Sequence, residues 1–269
     1  MGVVNVTPDS FSDGGLFLDP ERAIAHGREL AEAGAAILDI GGESTRPGAE
    51  PVPAAEELAR VEPVVAALAG RGGPGVTVSI DTSKASVAEA ALDAGAEIVN
   101  DVTALRADPR LAELCAERGC GVILMHMLGD PRTMQRDPRY DDVVGDVKAF
   151  LAERVEAAIA AGIAEERIWV DPGIGFGKTV AHNLELLRRL GELRELGRPV
   201  VVGTSRKSFI GAITGREVGE RLGGTIASNV LALAAGAEVF RVHDVAEVAQ
   251  AMRVAAAILG ARRQAAPLG

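Results

Sequence analysis

Aromatic side chains are scarce in this chain. Phe, Trp and Tyr together make up 3% of its 269 residues, whereas hydrophobic residues as a whole make up 48%. A core of this composition has to be aliphatic, and the chain is long enough to bury a complete one. The length suits one barrel domain as well as two small domains, so composition alone leaves the domain count open.

Cysteine is almost absent as well, since Cys115 and Cys120 are the only two. Cysteine pairs that bind a metal usually stand closer together and have further ligands nearby. The two residues are better interpreted as reduced packing residues of a cytosolic protein.

Basic residues are fewer than acidic ones, 28 against 38, which gives a formal net charge of -10. Such a balance argues against a nucleic acid or an anionic membrane surface as the main partner. A small anionic substrate is still compatible with the sequence, because a local cluster of basic residues can outweigh the net negative charge of the whole chain. The start of the chain lacks the pattern of a signal peptide, and no apolar run approaches the length that spans a bilayer.

What the chain does contain is a repeated unit, a short strand-like run followed by a helical pattern. The β-branched or apolar runs predict strands near 2–6, 36–41, 76–81, 96–101, 121–126, 168–171, 199–204 and 238–243. The amphipathic stretches between them predict helices over Pro20 to Gly34, Pro53 to Gly70, Lys84 to Gly95, Asp108 to Gly119, Asp141 to Gly162, Val180 to Gly197, Arg206 to Gly236 and Asp244 to Arg262. Several of these stretches begin with Pro, Asp or Ser and end at Gly, as helices do.

Eight such units without a composition break predict one α/β domain over residues 1–269, a parallel TIM (β/α)8 barrel. A doubly wound open sheet is the alternative, and the count of eight favours the barrel. The helical stretch after the seventh strand contains Gly211, Gly215 and Gly219. We expect it to divide into a short helix and a longer one.

Polar residues occur at the carboxyl end of every predicted strand, which is where barrel enzymes build their sites. In strand order they are Asn5; Glu43, Ser44, Thr45 and Arg46; Asp81; Asn100 and Asp101; His126; Asp171; Ser205, Arg206 and Lys207; and Arg241 and His243. Any single member could be a loop residue or a helix cap, as could Asp101 or Asp244. A complete ring is costly as mere structure, because each group must be paired or solvated, so we interpret it as a site.

Two kinds of group stand in this ring, and they indicate a substrate with two unlike parts. Asp81, Asn100 and Asp171 offer acceptors, which suit the paired N–H donors of an aminopyrimidine ring. Phosphate oxygens would instead suit the donors Arg46, Lys207, Arg241 and His243. The pattern predicts a heterocycle held deep in the barrel and a diphosphate held at the rim.

Three loops stand out. Residues 5–15 and 41–53 are rich in turn residues, and such loops over a barrel mouth often act as lids. The stretch DPGIGFGKT over 171–179 resembles a nucleotide-binding loop but fails the test. Pro172 and Lys178 stand where the P-loop and the dinucleotide motif respectively require Gly. Its glycines are better explained by tight backbone turns beside a ligand.

Eight segments of the chain resemble, in order, the successive motifs of the dihydropteroate synthases. They are NVTPDSFSDGG (5–15), DIGGESTRPGA (39–49), SIDTSK (79–84), VNDV (99–102), LMHM (124–127), DPGIGFGK (171–178), SRKSFIG (205–211) and RVHDV (241–245). The resemblance covers nearly the whole chain. It implies a transferase of folate biosynthesis that joins a pterin methyl diphosphate to 4-aminobenzoate with loss of diphosphate. It also implies a cytoplasmic homodimer, and a 4-aminobenzoate site for which sulfonamides compete.

The resemblance implies residue roles too. The matching positions for the pterin ring are Asp81, Asn100, Asp171 and Lys207, and those for the diphosphate are Arg241 and His243. Asn5 matches a residue that binds Mg²⁺ together with the diphosphate. The 4-aminobenzoate site would be bordered by Thr45, Arg46, Pro47, Phe176 and Ser205, with Phe11 on a closing loop. We expect Lys207, Arg241, His243 and Asp81 to act in the chemical step.

Two departures from the family pattern occur. The hairpin that usually precedes the first strand is not in this sequence, either from a truncated start or from a real difference, which bears on stability more than on chemistry. Ile174 stands where Phe is frequent. We expect packing or helix-end roles for His126 and His182, and structural roles for Trp169 and Tyr140.

Two other functions stay open at this point. A pterin-binding methyltransferase module would serve a corrinoid and would not need the donors of ESTRPGA and SRKSFIG. A paralogue that binds pterin without catalysis is the second alternative, although the complete charged ring argues against it.

Overall fold

The structure is a computed structural model that describes residues 1–7, 20–46, 48–70 and 73–260. Phe11 and Pro47, both expected near the 4-aminobenzoate site, lie outside these residues. The strands are β1 Gly2–Asn5, β2 Ile37–Gly41, β3 Thr77–Asp81, β4 Ile98–Asp101, β5 Gly121–Met125, β6 Ile168–Asp171, β7 Val201–Val202 and β8 Val239–Phe240. The helices are α1 Pro20–Glu32, α2 Ala54–Ala69, α3 Ala85–Asp93, α4 Pro109–Arg118, α5 Val143–Ala160, α6 Val180–Arg188, α7 Ser208–Thr214, α8 Leu222–Ala234 and α9 Val245–Ile258.

The strands form a closed parallel barrel, as predicted. β1 to β6 pair in sequence order, and β7 pairs with β8. Parallel bridges complete the circle, from Val170 to Val200 on one side and from Gly2 to Val242 on the other. The open-sheet alternative is therefore excluded.

The last two strands are shorter than their predicted segments, with two residues each. The neighbouring residues still make single hydrogen bonds across the pair, from Glu238 N to Val200 O and from Arg241 N to Val202 O, both 3.0 Å. Pro199 has no N–H to donate, so it can contribute only its carbonyl, which accepts from Val170 N at 3.0 Å. The parallel hydrogen bonding of β7 with its neighbours thus continues beyond the two residues of the regular strand, but less regularly.

An apolar layer fills the lower half of the barrel. It consists of inward residues of five strands, with Met1 and Val239 packed against them: Ile37, Ile98, Ile123, Trp169 and Val201. Trp169 is 1% exposed, which agrees with its expected structural role. Large β-branched side chains suit such a layer, because barrel interiors are packed cores rather than pores.

The helix ends follow the chemistry read from the sequence. Asp108 accepts from Arg110 N ahead of α4, and the helix ends at Gly119 in the left-handed region. Thr179 and His182 form a capping box at the start of α6, so the helix-end role of His182 is confirmed. Gly215, also left-handed, ends α7 and separates it from α8, which is the division expected after the seventh strand.

Two further expectations concern the whole chain. Cys115 and Cys120 are both buried and form no disulfide. Within the described ranges, the helices are too short or too polar to cross a bilayer.

Candidate active site

On several strands the barrel interior changes from apolar to polar two residues further along the strand. Successive inward side chains on a strand are two residues apart. The row that holds Ile37, Ile98 and Trp169 therefore continues as Asp39, Asn100 and Asp171. In β8 the same step leads from Val239 to Arg241. Strand periodicity thus places a polar layer directly above the apolar one.

A pocket opens on this polar layer at the carboxyl ends of the strands. Its lining residues are Thr45, Asp81, Asn100, Val102, Met125, Asp171, Gly173, Ile174, Phe176, Gly203, Ser205, Lys207, Arg241 and His243. The structure therefore brings nine of the residues selected from the sequence to one pocket. Val102, Met125 and Gly203 were not selected, because apolar and glycine residues carry little chemical signal in a sequence, whereas Gly173 belongs to the loop whose glycines were expected beside a ligand.

Two selected residues stand apart from this pocket. Arg46 is exposed on the loop after β2, beyond Thr45. Asn5 is half-buried at the end of β1 and pairs in register with Gly41, which pairs with Asp81. Asn5 therefore lies at the level of the mouth without lining the described pocket.

Other members of the strand-end ring have structural partners instead. Asp101 accepts from the backbone N–H of Thr103 and Leu105 at 2.8 and 2.7 Å. Arg206 pairs with Asp244, its Nε lying 3.0 Å from Oδ2. Glu43 binds Lys84, which also binds the buried Glu57, and this group anchors the base of the loop that carries Thr45. Only part of the ring is thus available to a ligand.

The centre of the polar layer is an arginine held between two aspartates. Arg241 Nε donates to Asp39 Oδ2 at 2.6 Å, and Arg241 Nη2 donates to Asp81 Oδ2 at 2.8 Å. Asn100 Nδ2 donates to the same Asp39 oxygen at 3.1 Å. Burial alone would lower the pKa of Arg241, but Asp39 and Asp81 outweigh it and raise the pKa above its ordinary value. The guanidinium is therefore permanently charged, and it orients both carboxylates.

Asp39 is a site residue that sequence analysis missed. It is fully buried in β2 and contacts two residues that line the pocket. The available signal was the strand period, because Asp39 stands two residues after the inward-facing Ile37. The site residues predicted for this strand were only those that follow it, from Glu43 to Arg46.

The sequence also assigned acidic groups to the floor and cations to the rim, and this separation is incomplete. Arg241 reaches down into the acidic layer, where it contacts Asp39 and Asp81. The physical reason is desolvation, since a buried carboxylate is stable as an anion only beside a charge or donor that compensates it.

Burial disfavours the charged form of the two aspartates that line the pocket. Burial raises the pKa of Asp81 to about 7 against the attraction of Arg241. Burial also raises the pKa of Asp171, although the Gly173 N–H, 2.7 Å from Asp171 Oδ1, acts in the opposite direction. A ligand that presents N–H donors would favour the charged form of both groups, because hydrogen bonds to a carboxylate stabilise the anion.

Lys207 stands on the opposite wall. Its Nζ lies 4.1 Å from the centroid of the Phe176 ring, in a cation–π contact. Burial, reinforced by Arg241, lowers the pKa of Lys207 to about 8, while Asp171 and Asp81 oppose the shift. The ammonium form still predominates at neutral pH and can bind an anion.

His243 is paired with Ser205 beside this wall. The Ser205 hydroxyl accepts from the backbone N–H of His243 at 3.2 Å and lies 2.9 Å from its Nδ1. Burial, with Arg241 adding to it, lowers the pKa of His243 to about 4, so the imidazole is neutral at pH 7. All these groups are paired when the Ser205 hydroxyl donates a hydrogen bond to Nδ1. The imidazole proton is then on Nε2, where it can be donated to a ligand.

The loop after β6 forms a third wall, and its glycines turn the backbone as expected. Gly173, Gly175 and Gly177 all have positive φ, of 66°, 84° and 65°. A Cβ on Gly173 would lie 1.9 Å from the carbonyl oxygen of His126, so this position admits no side chain. His126 itself is buried behind the loop and packs edge-on against Phe150, which confirms its expected packing role.

The chain resembles known proteins along nearly its whole length. A family model described as "Pterin binding enzyme" matches residues 1–243. The dihydropteroate synthase of Escherichia coli strain K12 is 48% identical over 262 residues, which cover 97% of this chain and 92% of that protein.

Solved structures agree. The Xanthomonas albilineans dihydropteroate synthase with 4-aminobenzoic acid is 50% identical, with a TM-score of 0.90, over 96% of this chain and 92% of that one. The same enzyme in complex with 7,8-dihydropteroate is 47% identical, with a TM-score of 0.86 and the same coverage.

The buried histidine supports a prediction about acid stability. Burial, together with Lys178, lowers the pKa of His126 to about 3, whereas an unfolded histidine titrates near ~6.5. Between these values the unfolded chain binds more protons, so this contribution to the free energy of unfolding is lost as the pH falls. Equilibrium urea unfolding at several pH values should show that the stability advantage of wild type over His126→Asn shrinks from pH 6.5 towards pH 4. The slope is at most about 1.4 kcal/mol per pH unit.

The matched control is His26→Asn, since the His26 side chain is 38% exposed. A wild-type advantage over His126→Asn that stays constant with pH, or that changes equally for His26→Asn, would contradict the prediction.

Proposed function

Because this chain belongs to the dihydropteroate synthases, a family of pterin binding enzymes, we propose that its barrel pocket performs their reaction by a dissociative substitution. The protein is a transferase that condenses a dihydropterin methyl diphosphate with 4-aminobenzoate, giving 7,8-dihydropteroate and diphosphate. The observation that best supports this pocket as the site is its mixed lining, in which Asp81, Asn100 and Asp171 face Lys207, Arg241 and His243.

The chemistry of the two substrates favours a dissociative path. An aromatic amine is a weak nucleophile, so departure of the diphosphate should dominate the barrier. The bond from the methylene carbon to the diphosphate oxygen breaks first, and its electron pair leaves with the diphosphate. The amine lone pair then forms the new C–N bond, and the nitrogen releases a proton to the diphosphate or to solvent.

Each charged wall would stabilise one part of this transition state. Asp81 and Asp171 accept the N–H groups of the pterin, and their negative charge favours the cation that develops on the methylene. Lys207, Arg241 and the neutral Nε2–H donor of His243 stabilise the negative charge of the departing diphosphate. Charges held in place before the reaction are usually the largest catalytic contribution.

The methyltransferase alternative loses its support here. The relatives above are dihydropteroate synthases at 47 to 50% identity. Three of the donors that such a module would not need, Thr45, Ser205 and Lys207, line the pocket. The assay that tests the proposed function measures pyrophosphate release, which should require both the pterin diphosphate and 4-aminobenzoate. A paralogue that only binds pterin would release none, and a spectral change with an added corrinoid would instead favour the methyltransferase.

Lys207 provides the direct test of the charge assignment. Lys207→Ala removes an ammonium group that faces the leaving diphosphate, and we expect kcat to fall by ~10²–10³-fold. Lys148→Ala is the control, because Lys148 pairs with Glu195 on the surface, away from the pocket. Near wild-type turnover in purified Lys207→Ala would refute the assigned role.

We propose that Mg²⁺ assists at the rim, held by Asn5 and by oxygens of the substrate diphosphate. No cluster of three or more Asp, Glu, His or Cys that could form a metal site occurs among the described residues. A donor set of Asn5 and diphosphate oxygens fits Mg²⁺, which often binds through one or two protein oxygens, with substrate phosphates and water completing the coordination shell. When bound, the ion would neutralise charge on the diphosphate.

Asn5→Ala tests this assignment through metal binding. The half-maximal Mg²⁺ concentration for activity and for calorimetrically measured binding of the pterin diphosphate should both rise, by about 10-fold or more. The affinity for a pterin without the diphosphate should stay within about 3-fold. An unchanged Mg²⁺ dependence would show that Asn5 is not a ligand.

We further propose that two copies associate through α8 and α9, as the family resemblance implies for a homodimer. The two helices pack against each other and expose large apolar side chains: Leu231 at 67%, Val254 at 57%, Ile258 at 80% and Leu259 at 50%. Such side chains on neighbouring elements favour an interface between subunits.

A charge placed in this face tests the dimer. Leu231→Glu should convert a dimer into a monomer in light scattering coupled to gel filtration, because a buried carboxylate in the interface would have no partner. Arg28→Glu, on the exposed side of α1, is the control and should remain dimeric. A dimeric Leu231→Glu would mean that the interface lies elsewhere.

We also propose a cytoplasmic location, which the resemblance implies. Fractionation of cells that produce the protein would test it.

A further inference from the structure

Lys178, at the end of the loop after β6, is a buried cation that the proposed chemistry does not use. Its side chain is 3% exposed. Nζ contacts four acceptors: Phe176 O at 2.9 Å, Gly173 O at 3.0 Å, His126 O at 3.4 Å and His126 Nδ1 at 2.8 Å. All of them are neutral, so the ammonium is satisfied by dipoles rather than by a carboxylate.

Such a placement is costly for a lysine. Burial lowers the pKa of Lys178 to about 7, with Lys207 adding to the shift and Asp171 opposing it. A simple packing requirement would be met more cheaply by an apolar side chain, because burying a charge without a counter-ion disfavours folding. The cost indicates that the position serves the arrangement of its acceptors.

The backbone acceptors of Lys178 include carbonyl groups of the glycine-rich loop after β6. Residues 173, 175 and 177 are glycines with positive φ, and glycine loses the most conformational freedom when it is ordered. Lys178 ties two carbonyls of this loop to the end of β5 through His126. Two more carbonyls of the loop accept hydrogen bonds from other side chains: Gly175 O from Gln135 at 2.6 Å and Gly177 O from Tyr140 at 2.7 Å.

The loop in turn carries one wall of the pocket. Gly173, Ile174 and Phe176 line it, and the Phe176 ring lies under Lys207. The Phe176 carbonyl is one of the acceptors of Lys178, so the backbone of that residue is fixed directly from behind. Asp171, by contrast, is held by the strand β6 and by the Gly173 N–H.

We propose that Lys178 is a positioning residue for the acceptor substrate: it holds the Phe176 wall in the place where 4-aminobenzoate binds, without touching either substrate. This inference rests on the proposed function, because it assumes that Phe176 borders the 4-aminobenzoate site. Lys178 acts on the second substrate more than on the pterin. Two of the pterin acceptors, Asp81 and Asn100, belong to other strands, and the third, Asp171, is held by β6 as well as by the Gly173 N–H.

Lys178→Met tests the inference, because it keeps the length of the side chain and removes its donors and charge. The KM for 4-aminobenzoate should rise about 10- to 100-fold, as expected for the loss of hydrogen bonds from a charged donor. The Kd for a pterin, measured by fluorescence titration, should change by less than about 3-fold. Lys148→Met is the matched control and should leave both values unchanged.

Two histidine variants keep the test decisive if Lys178→Met fails to fold. His126→Asn offers an amide oxygen near the position of Nδ1 and should retain a nearly wild-type KM for 4-aminobenzoate. His126→Leu removes that acceptor and should raise the same KM without a matching change in pterin affinity.

The outcomes separate this inference from the proposed function. An active wild type with unchanged KM for 4-aminobenzoate in Lys178→Met and His126→Leu would overturn the inference alone. So would equal losses for both substrates, or lower thermal stability with unchanged kinetics, since these describe a merely structural lysine. A wild type that releases no pyrophosphate would instead overturn the function.

Discussion

The contact of Arg241 with Asp39 and Asp81 joins the closure of the barrel to the chemistry of its mouth. It connects the last strand to the second and third strands across the interior, between residues 202 and 160 positions apart in the chain. The guanidinium can reach both carboxylates only when β8 lies beside β1 and all inward rows are in register. A site built on this contact therefore exists only in the closed barrel, and the carboxylates are tolerated in the interior because the guanidinium compensates them.

Burial acts against the other charges of the pocket, and the Arg241 contact opposes this effect at Asp81. Burial raises the pKa of Asp81 and Asp171 and lowers the pKa of Lys207, so both kinds of group move towards their neutral forms. A substrate that brings N–H donors to the carboxylates and negative charge to the lysine favours the ionised form of each. The pocket thus gains its full set of charges with the substrate, in a place that solvent reaches poorly and where those charges act strongly.

Sequence analysis predicted the fold and most of the pocket because both depend on local periodicity. Strand ends were placed from apolar runs and helix ends from glycine stops, and in a parallel barrel all strand ends meet at one face. Asp39 was missed because it lies inside a strand, where only the alternation of inward residues distinguishes it. Lys178 was weighed only as a mismatch to nucleotide motifs, since its four acceptors include backbone carbonyls that no sequence pattern reveals. The expected role of Arg46 depends on a loop whose next residue, Pro47, lies outside the described part of the chain.

The turn after β7 explains how two subsites can respond to each other. Ser205 contacts His243, which the proposed function assigns to the diphosphate. Lys207 is assigned to the same diphosphate and also lies over Phe176, which borders the proposed 4-aminobenzoate site. Arg206 between them has a φ of 58°, a strained value for a residue with a side chain, and its pairing with Asp244 and its N–H bond to Thr225 hold it there. One short turn therefore carries both Ser205 and Lys207, which contact His243 and the Phe176 ring respectively. Release of that turn would disturb the leaving-group side and the acceptor side together, whereas release of the loop held by Lys178 would disturb mainly the acceptor side.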